Sequence, residues 1–215
     1  MRSEKKLKKA PYVEKTYNII QKELTGHVLD LGCADGIFSH KHKNVVGLDI
    51  LESRYVNFYK LHDGNFLIPL IRGDMHKLPF KKSSFDCVLI NHTLEHTYKP
   101  DMVIIEVKRV LKTNGKIIIG VPNSYSTQTR TIRWVLGTDF YAYVKEHKSN
   151  FSFLSLEKKL IKNGFNKIKK YKTSFHIHLI GKIFELPYLR KLVQELAEKN
   201  ESLSQDIILV GFKNK

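Results

Sequence analysis

Cysteine is scarce in this sequence: Cys33 and Cys87 are the only two in 215 residues. That excludes a disulfide framework and makes a reducing, cytoplasmic setting the expectation. Long apolar runs are missing too, and no stretch approaches the length of a membrane span. The first nine residues, Met1 to Lys9, carry charge with no apolar segment behind them, so no signal peptide is expected there. Acidic residues are few: 21 Asp and Glu against 37 Lys and Arg give a net charge of +16. Such an excess suits anionic partners such as RNA, acidic lipid surfaces or phosphorylated substrates. From Lys158 to Lys172 there are seven lysines and no acid. Arginines are few among them and no nucleic-acid module is recognisable, so solvated faces are the favoured reading. Linkers, repeats and low-complexity segments are absent as well. Residues 1–215 are therefore expected to form one domain with a sizeable core.

What is present centres on His27 to Ser39 (HVLDLGCADGIFS). Val28 to Leu31 is a short apolar run broken only by Asp30, as a buried parallel strand reads. Gly32, Asp35 and Gly36 then crowd a turn before the sequence becomes apolar again at Ile37. Glycine there tolerates positive φ and lets the backbone lie close to a ligand. A helix starting behind it would offer free N–H groups. The pattern reads as a cofactor loop at the carboxyl end of a first strand. It lacks the G-x-G-x-x-G of dinucleotide sites, because Ala34 holds the middle position. With Asp30 two residues ahead of Gly32, it resembles motif I (D-x-G-x-G-x-G) of the class I S-adenosylmethionine (SAM)-dependent methyltransferases.

Patterning predicts a helix over Pro11–Leu24, with Val13, Tyr17, Ile20 and Leu24 on one face. Strands are predicted at Val28–Leu31, Asn44–Ile50, Phe66–Met75, Ser84–Asn91, Lys116–Asn123, Lys167–His176 and Asp206–Phe212. Pro69 cannot donate to a ladder, which suggests an edge strand or a late strand start. Helices are predicted at Asp101–Leu111 with Asp101 as N-cap, at Ser155–Asn163 capped by Ser155, and after Pro187. The string Glu106 to Gly115 resembles the family's E-x-x-R-V-L-K-x-x-G turn, in which Glu106 and Arg109 are structural. The resemblance implies an α/β, Rossmann-like sheet of seven strands, mostly parallel, with helices on both faces and the last strand antiparallel. It covers about residues 27 to 123.

For the site, the resemblance implies that the turn Asp30, Gly32, Cys33, Ala34, Asp35 and Gly36 cradles the methyl donor. Asp49 ends a strand 17 residues beyond Gly32, where a carboxylate can accept from both ribose hydroxyls, with Ile50 beside it. Gly73-Asp74-Met75-His76 resembles the adenine-recognition motif, giving Asp74 the adenine amino group and Met75 the ring. Ser84 to His96 resembles motif IV, so Asn91 should border donor and acceptor. His92, Glu95, His96 and His147 are the candidate catalytic groups, since imidazole suits proton removal near neutrality. The same His92-x-x-Glu95-His96 matches the H-x-x-E-H pattern of one group of zinc peptidases. That chemistry needs a sustained helix and a third ligand, and Pro100 leaves room only for a very short one, so no metal is expected. Residues 124–150, polar and aromatic and long for a connection, are expected to form a substrate wall or lid.

The activity implied is SAM-dependent methyl transfer to oxygen, nitrogen or carbon of a small molecule. After Asn91 there is no N-P-P-Y motif, and neither cysteine is placed to act as a nucleophile on cytosine. An RNA or tRNA methyltransferase, and a non-catalytic SAM-binding scaffold subunit, are the alternatives.

Overall fold

The computed structural model describes residues 11–34, 36–50, 68–126, 147–173, 195, 200–204 and 206–214. The chain opens with α1 (Pro11–Glu23), followed by strands β1 (Val28–Leu31), β2 (Val45–Asp49), β3 (Leu70–Arg72) and β4 (Phe85–Asn91). A 3₁₀ turn (Leu94–His96) and α2 (Pro100–Val110) lead into β5 (Leu111–Pro122). Then come α3 (Phe153–Lys162), β6 (Phe165–Lys172) and β7 (Asp206–Lys213). The strands form one seven-stranded sheet in the order β3-β2-β1-β4-β5-β7-β6. Pairings from β3 through β5 are parallel. β7 runs antiparallel to both β5 and β6. The order reverses between β1 and β4, and ligands bind open α/β sheets at the carboxyl ends of strands flanking such a switch point.

The central strands are buried on both faces, which explains their unbroken apolar sequence. Alternate residues go to two cores. Val88, Ile90, Ile117 and Ile119 pack with Val103, Ile104 and Val107 of α2 and Phe153, Leu156 and Leu160 of α3. Cys87, Leu89 and Ile118 pack with Ile20 of α1 and Leu24 beyond it. Helices thus cover both faces, as the family resemblance implied. A polar clasp fixes α1: Glu23 accepts from Lys116 Nζ (3.2 Å), Lys169 Nζ (3.2 Å) and the Tyr171 hydroxyl. Burial pushes the Glu23 carboxyl up, and these three donors more than reverse it, leaving it below its ordinary range. The lysine-rich stretch is partly engaged in such pairs, since Lys159 meets Asp101 at 2.7 Å and Lys170 meets Glu157 at 2.7 Å.

Several boundaries differ from the sequence reading. β3 is three residues long at the sheet edge and starts directly after Pro69. The N-cap of α2 is Lys99, and Asp101 lies inside the first turn, where its carboxylate binds Lys159 Nζ and Asn163 Nδ2 of the α3 region instead of its own helix end. α2 stops at Val110, not Leu111, because Leu111 already pairs with Phe85 in extended conformation. Asn114 and Gly115, at the end of the Glu106 to Gly115 string, fall inside the irregular start of β5, with Asn114 at φ +61°. The cap of α3 is Ser152, and Ser155 is its reciprocal partner in a capping box. β6 begins two residues earlier than expected, at Phe165, whose ring is buried. After Gly36 the chain forms hydrogen-bonded turns, not a helix. The helix expected after Pro187 lies outside the described residues, as does most of 124–150.

Candidate active site

A cavity of about 640 Å³ opens at the switch point, between the turn after β1 and the turn after β4. Its floor is the glycine turn. Gly32 sits at φ +65°, and a Cβ there would lie 2.2 Å from Thr93 Cγ2, so the β1 and β4 exits meet at a residue that must be glycine. Gly32 N–H donates to Leu48 O at 2.7 Å. Ala34 takes the family's middle-glycine position and still adopts left-handed backbone, φ +45°. Its N–H donates to Asp49 Oδ2 at 3.0 Å. Asp49 Oδ1 accepts from Ile50 N–H at 2.7 Å.

The cavity wall carries most of the residues the sequence assigned to the cofactor. Gly32, Cys33, Ala34, Asp49 and Ile50 line one side. Asp74, Met75 and Asn91 line it as well. Asp74 Oδ1 accepts from His76 N–H (2.8 Å) and pairs with His76 Nδ1 (2.6 Å). The backbone N–H of His76, then its ring, hold the Asp74 carboxyl below its ordinary range despite burial. His76 Nε2 reaches Thr97 Oγ1 at 2.6 Å, tying this turn to the one after β4. Asp30 does not reach the wall. It is buried in β1 and accepts from the Ser39 hydroxyl at 2.6 Å, which braces the glycine turn from beneath. Gly36 also lies behind the wall at φ +74°, and Asp35 lies outside the described residues.

The candidate catalytic groups cluster more tightly than their sequence spacing shows. His92 follows β4 at φ +50°, a left-handed bend held by its N–H to Gly120 O at 2.8 Å. His92 and His96 line the cavity. His92 Nδ1 lies 3.6 Å from Glu95 Oε1, and its Nε2 lies 3.9 Å from Asp206 Oδ1. Burial pulls the His92 imidazole down, and the Glu95 and Asp206 carboxylates more than offset it, leaving it above its ordinary value. Asp206 is pushed up, by burial first and Glu95 second, against His92. Glu95 is 1% exposed, behind the wall. The His96 and His147 rings meet edge-on, centroids 5.2 Å apart. The His92-to-His96 motif rests on a three-residue 3₁₀ turn, not on the sustained helix of the peptidase pattern.

Sequence reasoning missed Thr93, His76, Thr97 and Asp206. Thr93 and His76 sit inside segments already singled out and Thr97 directly follows one, so proximity to the motifs was a usable signal. Asp206, at the start of β7, carried none. Cys87 is buried and its thiol is pushed up to about 12 by burial, which removes it from any nucleophilic role. Among the described residues no helix is long and apolar enough to cross a membrane.

Comparison with known proteins agrees with this geometry. The family described as "Methyltransferase domain" matches residues 29–119. An uncharacterized protein of Methanocaldococcus jannaschii is 34% identical over 157 residues, covering 70% of this chain and 69% of that protein. The malonyl-acyl-carrier-protein O-methyltransferase of Legionella pneumophila is 28% identical over 125 residues, covering 55% of this chain. The chain spans 44% of that enzyme's length. Among solved structures, a SAM-dependent methyltransferase of Thermotoga maritima superposes with a TM-score of 0.69 at 20% identity, over 95% of this chain and 89% of that one. It shares the fold. Sheet order, switch-point cavity and sequence relatives agree: this chain belongs to the class I SAM-dependent methyltransferase family.

Proposed function

We propose that this chain transfers a methyl group from S-adenosyl-L-methionine to a small-molecule acceptor, at oxygen, nitrogen or carbon. The observation that carries this is one continuous cavity whose wall runs from the glycine turn, past Asp49 and Asp74, to His92 and His96. The residues fit the cofactor. Asn91 Oδ1 is buried with no hydrogen-bond partner among the described residues, a polar atom that a ligand would satisfy. A carboxylate accepts at up to about four sites, so the two backbone N–H groups on Asp49 are compatible with ribose hydroxyls as well. Both bonds to Asp74 fall on Oδ1, and Oδ2 keeps its acceptor capacity for the adenine amino group.

In this reading Gly32, Cys33 and Ala34 line the cradle, with Gly36 behind them and Asp30 bracing the turn through Ser39. Met75 and Ile50 supply apolar cover for the adenosyl group. Bound SAM supplies a methyl group already activated on a sulfonium sulfur, so the protein's task is alignment and charge dispersal. His92 takes the proton of a hydroxyl acceptor, oriented between Glu95 and Asp206, while His96 borders the acceptor with the His147 ring packed against it. Of the 124–150 segment, the described residues 147–149 return to the acceptor end, where Lys148 and Ser149 N–H both donate to Glu95 O, at 2.7 and 3.0 Å. A cytoplasmic setting is proposed on cysteine usage, with Cys33 and Cys87 both buried and neither in a disulfide.

The test is titration calorimetry with SAM and S-adenosylhomocysteine on wild type and Asp49→Ala. Micromolar binding, weakened at least tenfold in the variant, is expected. A folded protein that binds neither compound overturns the reading. Binding without turnover on any acceptor moves it to a scaffold subunit, and salt-sensitive turnover on tRNA moves it to the nucleic-acid alternative.

A further inference from the structure

Behind the acceptor end of the cavity, Glu95, His96 and His147 each place one metal-ligating atom within 4.8 Å of the others. Ligand atoms on a zinc tetrahedron stand about 3.4 Å apart, given bonds of about 2.1 Å, so side-chain rotation of about an ångström closes the set. The arrangement does not depend on a long connection finding its place. Lys148 and Ser149, next to His147, donate to Glu95 O, and Ser149 Oγ donates to Thr97 O at 2.6 Å. Three hydrogen bonds therefore latch the third ligand to the turn carrying the other two.

Glu95 provides the independent argument for an occupant. It is 1% exposed, and neither carboxylate oxygen has a hydrogen-bond partner among the described residues. Its nearest ionisable neighbours are the imidazoles of His92 at 3.6 Å and His96 at 4.0 Å. Asp206, a second buried acid, faces the same group across His92. A buried carboxylate without a donor costs stability of a kind that a bound cation removes. Two imidazoles and one carboxylate match the donor preferences of zinc and neighbouring divalent transition ions, not of calcium or magnesium.

We propose that Glu95, His96 and His147 bind one divalent transition-metal ion of the zinc type beside the cavity. Three protein ligands leave a position open, as catalytic sites do. His96 lines the cavity, so an acceptor's oxygen or sulfur could take that position. The binding itself does not rest on the methyl-transfer reading.

The test uses the untagged chain, stripped with chelator and dialysed against Zn²⁺ or Co²⁺. Wild type is expected to retain one equivalent per chain, and Co²⁺ to show the visible bands of a tetrahedral site with nitrogen ligands. His147→Ala, His96→Ala and Glu95→Gln are each expected to weaken binding at least tenfold. His147→Ala, at a half-buried position, guards against variants that fail to fold, and its fold is checked by circular dichroism. A wild type that binds neither ion, or binding unchanged in His147→Ala and His96→Ala, overturns the proposal. SAM titrated into the metal-free protein separates this site from the cofactor reading.

Discussion

The backbone N–H of Ala34 donates to the carboxylate of Asp49, joining the turn after β1 to the tip of β2. The residue assigned to the ribose therefore also fixes the cradle. Asp49→Asn separates the two roles, since its amide oxygen can still accept from Ala34. We expect the turn to hold and SAM affinity to fall about tenfold by calorimetry, with thermal stability within about 1 kcal/mol of wild type. Unchanged affinity would take the ribose contact away from Asp49.

Ala34 holds φ +45°, which costs an L-residue on the order of 1 kcal/mol. Ala34→Gly removes that strain and adds unfolded-chain entropy of about 0.5–1 kcal/mol, so urea unfolding should change by less than about 1 kcal/mol. Ala34→Val should lose about 2 kcal/mol or more, because a branched Cβ is poorly tolerated at positive φ.

Gly32→Ala should be far more damaging. A Cβ would meet Thr93 Cγ2 at 2.2 Å and Oγ1 at 2.4 Å, on a backbone already at positive φ. A loss of about 3 kcal/mol in urea unfolding is expected. Adding Thr93→Gly should restore part of it and leave the φ strain. No recovery would mean that the contact with Thr93 is not the cause.

Glu106 carries the acid sensitivity of the 78–80 loop. It accepts from Leu78 N–H (2.8 Å) and pairs with Arg109, which also donates to Phe80 O and Leu78 O. The Arg109 guanidinium first, then the Leu78 N–H, holds its carboxyl below the ordinary range against burial. The unfolded chain therefore binds the proton more readily. The contribution is fully present above about pH 4.5 and is lost as pH falls through the depressed folded value. Glu106→Gln should cost at most about 1 kcal/mol at pH 7, given a half-exposed Arg109, with the gap to wild type closing in acid. A gap independent of pH would rule out the charged pair.

Much of this was legible locally. Val28 to Leu31 and Ile117 to Ile119 read as buried strands because both faces of a parallel sheet are covered. Gly32 marked the turn, and Pro69 marked the edge strand. Element ends were less legible. Asp101 looks like a cap, yet its carboxylate is drawn to Lys159 and Asn163 across the α2–α3 interface. Ser155 was one half of a capping box whose other half, Ser152, decides where the helix starts.

The sequence by itself determined the sheet, the glycine turn and the family, because each rests on short-range pattern: strand period, turn glycine, an acid after a strand. Tertiary structure alone decided that His147 meets Glu95 and His96, and that Asp206 faces His92. Those contacts join segments far apart in the chain. Their energetics come from shared burial and latching hydrogen bonds, and no local periodicity encodes either.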